Sequence, residues 1–195
     1  MVNILEKFWL DRDKAVLAVI DVQQKLVPTM PQDVYRRVLK SIEFLVKSAG
    51  ELAIPVVVTE QYPRGLGATV PELSGVGVGG VVEKVSFGCC GDPEFMTRLK
   101  SLGRTQVVVT GMEAHVCVYQ TVLGLLEAGY HVHLVRDGII ARGETDYLNA
   151  LNLAQQAGAV VTTSETAVFQ LLRGSTSPGF KKISGLVKER FAGEP

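Results

Sequence analysis

The chain has 195 residues, 47% hydrophobic and 21% charged, with 20 acidic and 20 basic side chains and a formal net charge of zero. That length suits one domain burying about 70% of its unfolded surface, and a balanced surface without a basic stripe gives nucleic-acid or membrane-surface binding no electrostatic basis. No apolar run reaches the ~18 residues of a spanning helix, and three cysteines without framework spacing suit a cytoplasmic protein with free thiols better than a disulfide scaffold.

Residues 1–14, MVNILEKFWLDRDK, read as a short helix with Leu5, Phe8 and Trp9 on one side; its acids set it apart from a signal peptide. AVLAVIDVQ, residues 15–23, is a continuous apolar strand broken by Asp21, the pattern of a strand buried on both faces of a parallel sheet. A long amphipathic helix follows from Gln32 to Leu52, with Val34, Val38, Ile42, Leu45 and Val46 as its core stripe. VVVTE (56–60) is the second strand, and the Gly- and Pro-rich stretch 61–80 is expected to be mostly loop, of the length that is usually functional. VVEK (81–84) is a short third strand. Asp92 and Pro93 then open a helix that ends near Leu102, with Gly103 as its C-cap.

Gln106 to Thr110 is a fourth strand, and the following helix begins close to Cys117, with Val118, Val122, Leu125 and Leu126 at helical spacing. HVHLVRD (131–137), a helix over 145–157, AVVTT (159–163) and a helix over 164–172 continue the alternation. The tail from Gly174 reads as a loop and a terminal amphipathic helix from Ile183 to Phe191, whose apolar residues Ile183, Leu186 and Val187 offer a docking face. Strands alternating with helices predict an α/β fold: a three-layer open parallel sheet, Rossmann-like, with helices on both faces and strand order 3-2-1-4-5-6. Ligands of such sheets sit beyond the carboxyl ends of the strands at the switch point, here between the first and fourth strands. Asp21 and Cys117 are placed to face each other there.

A thiol in the first turn of a helix is surrounded by unpaired N–H groups and the positive end of the helix dipole, which favour the thiolate. Those N–H groups also suit an oxyanion, and Cys117 is therefore the candidate nucleophile. The competing reading is an inert core thiol between Val116 and Val118. Asp21 is either a strand-end cap or the base that takes the Cys117 proton. Lys84, ending another strand, is either a solvated terminus or the cation that offsets their charge; with it beside the helix terminus, the Cys117 pKa is expected to be lowered. Gln23, Gln61, Tyr62 and Phe87 adjoin this point as pocket candidates, and His115 either lines the pocket or fills space. His131 and His133 share a strand face without a third metal ligand. Cys89 and Cys90 read as loop thiols rather than a redox pair. No phosphate loop or Gly-x-Gly-x-x-Gly is present, so no cofactor is expected.

Asp21 in AVIDVQ, Lys84 in VEKVSF and Cys117 in GMEAHVCV, in that order, resemble the isochorismatase-like, or cysteine hydrolase, superfamily over about residues 14–172. With EQYPRGLG, the last motif is most similar to the isochorismatase-domain-containing branch. The resemblance implies a single hydrolase domain over 1–195, a three-layer α/β fold and an Asp21–Lys84–Cys117 triad. It also implies a non-proline cis peptide before Glu113, turning the Glu113 N–H towards the Cys117 N–H as an oxyanion hole, and a homo-oligomer. The superfamily's nicotinamidases carry an Asp-x-His metal site where this chain reads TEQYPRGLG, so no metal is expected. The activity implied is hydrolysis of a small amide or related acyl compound through a cysteine thioester. Vinyl-ether hydrolysis of isochorismatase type, centred on Asp21, is the alternative enzyme reading, and a non-catalytic binding or redox-sensing module using Cys117 is the alternative outside enzymes.

Overall fold

All six residues of β1 (Ala15–Ile20) are buried, as a strand covered by helices on both faces must be. The computed structural model describes residues 5–191 and holds β1 at the centre of a parallel six-stranded sheet of order 3-2-1-4-5-6. The further elements, in chain order, are α1 (Gln32–Glu51), β2 (Val56–Gln61), α2 (Pro63–Leu66), β3 (Val81–Lys84), α3 (Pro93–Ser101) and β4 (Gln106–Met112). They are followed by α4 (Tyr119–Glu127), β5 (His131–Ile140), α5 (Glu144–Ala157), β6 (Val160–Thr162), α6 (Ser164–Leu172) and α7 (Phe180–Phe191). Alternation along β1 divides the core. Leu17 and Val19 join α1, α6 and α7 on one face, whereas Val16, Ala18 and Ile20 join α3, α4 and α5 on the other. This three-layer α/β arrangement is the one the alternating pattern predicts. No helix among the described residues is long and apolar enough to cross a membrane.

Several local expectations are corrected. The N-terminal helix expected over 1–14 is only a 3₁₀ turn, Glu6–Phe8; Leu10 anchors the extended segment after it by full burial, and residues 1–4 lie outside the described residues. The stretch 61–80 is mostly loop, as expected, with α2 and a 3₁₀ turn at Pro71–Leu73 within it and Thr69 bridged to Gln23. The terminal helix starts at Phe180. Its apolar side, expected to be a docking face, is turned inward, with Ile183 fully buried and Leu186 and Val187 packed on the α1 side of the core. The chain's own core takes that stripe because α1 presents a matching apolar face beside it.

Register places the strand ends. Ile20 of β1 pairs with Thr59 of β2 and with Gly111 of β4, while Gln61 of β2 pairs with Lys84 of β3. Gly111 has φ of 123°, and a Cβ there would overlap the Ile20 backbone, so only glycine lets β4 pass so close to β1.

His133, the second of the alternating pair on β5, is 1% exposed, and its Nε2 has no hydrogen-bond partner. Burial lowers its pKa to about 4. The unfolded chain takes up this proton near pH 6.5 and the folded chain only near pH 4, so stability falls as pH drops through that window. The loss expected by pH 5 is about 2 kcal/mol. Denaturant unfolding at pH 7 and pH 5 should show it, and His133→Leu should flatten the difference. An unchanged pH dependence in that variant would exclude His133 as the cause.

Candidate functional site

The carboxyl ends of β1, β2, β3 and β4 converge on one buried ion pair. Asp21 directly follows β1 with φ of 50°, in the left-handed region that turns the chain out of the strand. Lys84, the last residue of β3, shares its strand face with Val82, two residues earlier. Its Nζ lies 2.6 Å from Asp21 Oδ2, both side chains wholly buried, and also donates to the carbonyls of Ser86 (3.1 Å) and Phe87 (2.8 Å). All three ammonium N–H groups are thus used. Lys84 reaches inward across β2 because its rung of the sheet is that of Gln61, two residues beyond Thr59. The Thr59 hydroxyl, on that intervening strand, donates to Asp21 Oδ1 at 2.7 Å.

Cys117 completes the cluster. The helical path begins at Ala114 as one wide π turn, Ala114–Val118, before α4; the carbonyl of Glu113 accepts from Val116 N–H (3.1 Å) and Val118 N–H (3.2 Å). The Met112–Glu113 peptide is cis, as the resemblance implies. Cys117 is 7% exposed, and its thiol lies close enough to the Asp21 carboxylate to feel its charge. Its pKa is raised, first by burial and next by the Asp21 charge; the nearby Lys84 ammonium opposes both without overcoming them. This overturns the lowered value expected from the helix terminus and Lys84. The cation that should have favoured the thiolate is spent on the carboxylate, and the low-dielectric surroundings penalise a second anion.

The structure also brings in residues that the sequence reading left aside. Cys89, assigned to a loop, is fully buried, with its Sγ 3.7 Å from Thr59 Oγ1 and its pKa pushed up to about 12 by burial and by Asp21. Thr121 of α4 accepts the Cys89 N–H (2.9 Å) and donates to the Cys117 carbonyl (2.6 Å). The available signal for Thr59 was a hydroxyl at the end of an otherwise Val-rich strand. For Cys89 and Thr121 the sequence carried no such sign.

The pocket candidates separate. Gln23 is buried and consumed in fastening the chain after β2: its Nε2 donates to the Gln61 and Gly67 carbonyls (3.1 and 2.6 Å), and its Oε1 accepts the Gln61 N–H (2.8 Å). Buried Glu60 holds the same segment through Thr69 N–H and hydroxyl. Tyr62 and Phe87 are exposed, whereas Gln61 Nε2 donates to the Val85 carbonyl. A cleft of about 360 Å³ beside Lys84 is lined by Tyr62, Arg64, Glu83, Val85 and Asp92, among others. His115 turns to α5, its Nε2 3.9 Å from Asp146, and the Glu113 carboxylate accepts from Arg142 Nε at 2.7 Å. A larger groove of about 590 Å³ between α1, β5, α5 and α7 is lined by none of Asp21, Lys84 and Cys117. Among the described residues no group of three or more His, Cys, Asp or Glu side chains could hold a metal ion.

Residues 15–166 match the isochorismatase domain. Isochorismatase domain-containing protein 2 of Danio rerio is 38% identical over 174 residues, covering 89% of this chain and 86% of the relative. The structure of MAR1 ribonuclease from Caenorhabditis elegans is similar at 36% identity and a TM-score of 0.85, over 92% of each chain. The YcaC gene product of Escherichia coli, an octameric hydrolase of unknown specificity, shares the fold at 21% identity with a TM-score of 0.81, covering 94% of this chain and 89% of that one.

A carboxylate beside a thiol can accept its proton as the sulfur attacks an electrophile. The raised thiol pKa fixes how alkylation by iodoacetamide should depend on pH. Cys117 labelling should be slow at pH 7 and still rising above the ordinary thiol range. Asp21→Asn removes the charge and the acceptor that raise the pKa and leaves Lys84, so labelling at pH 7 should accelerate about tenfold or more. Lys84→Met removes the lowering influence and should slow labelling. Breaking a buried pair costs about 3–5 kcal/mol, so both variants should also unfold earlier. Faster labelling of the parent than of a free thiol at pH 7 would sink this account.

Proposed function

The chain belongs to the isochorismatase family, and we propose that it is a single-domain cysteine hydrolase that cleaves a small amide or related acyl compound through a thioester on Cys117. The observation that carries the proposal is the Cys117 thiol placed within the field of Asp21, whose carboxylate contacts the Lys84 ammonium and the Thr59 hydroxyl. A thiol held protonated need not be ionised in advance when the proposed base lies beside it. Cys89 also feels Asp21 and Lys84 but is wholly buried, whereas Cys117 keeps 7% exposure.

In the proposed cycle, Asp21 takes the Cys117 proton as Sγ attacks the carbonyl carbon. The Glu113 and Cys117 N–H groups are the proposed donors to the resulting oxyanion. Collapse expels the amine, which receives the proton from Asp21 and leaves an acyl thioester. Water then attacks with Asp21 again as base; the carboxylic acid departs and Cys117 regains its proton. Lys84, with all three of its donors engaged, offsets the charge of the carboxylate without itself moving a proton.

Product release from a library of small amides tests this reading. Cys117→Ala and Asp21→Asn should each lower turnover by about two orders of magnitude or more, as removal of a nucleophile or general base does. Parent-level turnover by Cys117→Ala would remove the thioester and favour the vinyl-ether reading centred on Asp21. Activity should survive chelation, because Glu60 in TEQYPRGLG is committed to Thr69 and the stretch contains no imidazole. Stoichiometric zinc or iron, with activity lost on its removal, would contradict this.

A homo-oligomer is proposed as well, supported by the exposed apolar side chains of Tyr62, Val85 and Phe87 around the cleft. Light scattering at micromolar concentration should give at least twice the monomer mass; a monomer would refute it. The ribonuclease name of the Caenorhabditis elegans relative is not carried over, since 20 acidic balance 20 basic residues here and leave no basic footprint for RNA.

A further inference from the structure

The Asp21 carboxylate is gripped at both oxygens, and the two grips differ in kind. Lys84 Nζ meets Oδ2 at 2.6 Å and the Thr59 hydroxyl meets Oδ1 at 2.7 Å, with all three side chains buried. An ammonium acts as a point charge and sets no orientation for the carboxylate plane. The terminal torsion of an aspartate is broad and two-fold, so one contact leaves the group free to turn. A second contact on the other oxygen removes that freedom.

Thr59 is itself held firmly. Its β-branched side chain is stiff about χ1, its carbonyl accepts the Asp21 N–H at 3.2 Å, and its hydroxyl oxygen lies 3.7 Å from Cys89 Sγ. Cys89 is in turn tied through Thr121 to the carbonyl of Cys117, at 2.9 and 2.6 Å. A chain of contacts, Asp21–Thr59–Cys89–Thr121–Cys117, therefore links the carboxylate to the backbone of Cys117.

We infer that Thr59 is a positioning residue, its hydroxyl setting which way the Asp21 carboxylate faces the Cys117 thiol. The inference rests on the reading of Asp21 as the base for Cys117. A hydroxyl that only satisfied a buried carboxylate would affect stability and leave the chemical step alone; one that aims the base acts on the step itself.

The test uses p-nitrophenyl acetate, an activated acyl ester, with the full chain and with Thr59→Val, Thr59→Ala, Thr59→Ser and Cys117→Ala. Thr59→Val keeps the shape and removes the hydroxyl; Thr59→Ala serves if the valine form does not fold. Misaligning a reacting group by about 1 Å costs on the order of a hundredfold, so kcat should fall about 10- to 100-fold in both, with KM within about threefold of the parent. The acetyl-enzyme, followed by mass spectrometry, should persist longer, because its hydrolysis needs the aimed base. Thr59→Ser should restore kcat to within about threefold of the parent, since the donor is back. Parent-like kcat in the folded valine or alanine form, or a serine form as impaired as they are, overturns the inference while an inactive Cys117→Ala leaves the thioester reading standing. Turnover retained by Cys117→Ala overturns that reading, and this inference with it.

Discussion

The buried Asp21–Lys84 pair sets a condition that the surrounding structure has to meet. Withdrawing two ions from water costs several kcal/mol for each, and their attraction offsets this only when the remaining donors and acceptors are also satisfied. Here the satisfaction is supplied from two neighbouring strands: the carbonyls of Ser86 and Phe87 after β3 and the Thr59 hydroxyl on β2. The pair forms only if β1, β2 and β3 lie side by side in the observed register. Fold and site are therefore one problem: a slip by one residue would turn Lys84 to the opposite face and leave Asp21 unpaired.

The same pair explains the behaviour of the thiols. A site built to hold one carboxylate ionised in a dry interior has no favourable place for a second anion. Cys117 and Cys89 are both held as thiols by burial and by the Asp21 charge. A helix start and a nearby lysine would, in open surroundings, favour the thiolate. In this interior the lysine is already paired with Asp21, and the thiol keeps its proton. Under the proposed mechanism, such a thiol suits proton transfer that accompanies attack rather than precedes it.

Beyond the pair, the segment after β2 is shaped by side chains that look like pocket residues in the linear chain. Gln23 and Glu60 spend their polar atoms on the backbone of residues 61–69, which fixes one wall beside the cleft and leaves Tyr62 exposed on it. Their polar atoms thus hold this wall, which is built from this chain's own loop.

Much of the fold was legible because its determinants are local. Continuous apolar runs such as AVLAVI, strand–helix alternation and the Asp92–Pro93 helix start each follow from short-range pattern, and together they specified the parallel sheet and its order. Asp21, Lys84 and Cys117 were visible as reactive groups at strand ends and as a motif shared with a known family. What the linear chain could not supply was burial and neighbourhood. The direction of the Cys117 shift depended on whether Lys84 was free or already paired, and the place of Cys89 depended on a loop folding beneath α4. Thr59 acquired its contact only because β2 lies between β1 and β3. The apolar side of α7 likewise met α1 rather than another molecule, since an amphipathic stripe records that a face is to be covered but not by what. Residue chemistry and period come from the sequence itself; the dielectric around a charge, and the partner that reaches it, exist only once distant segments are packed together.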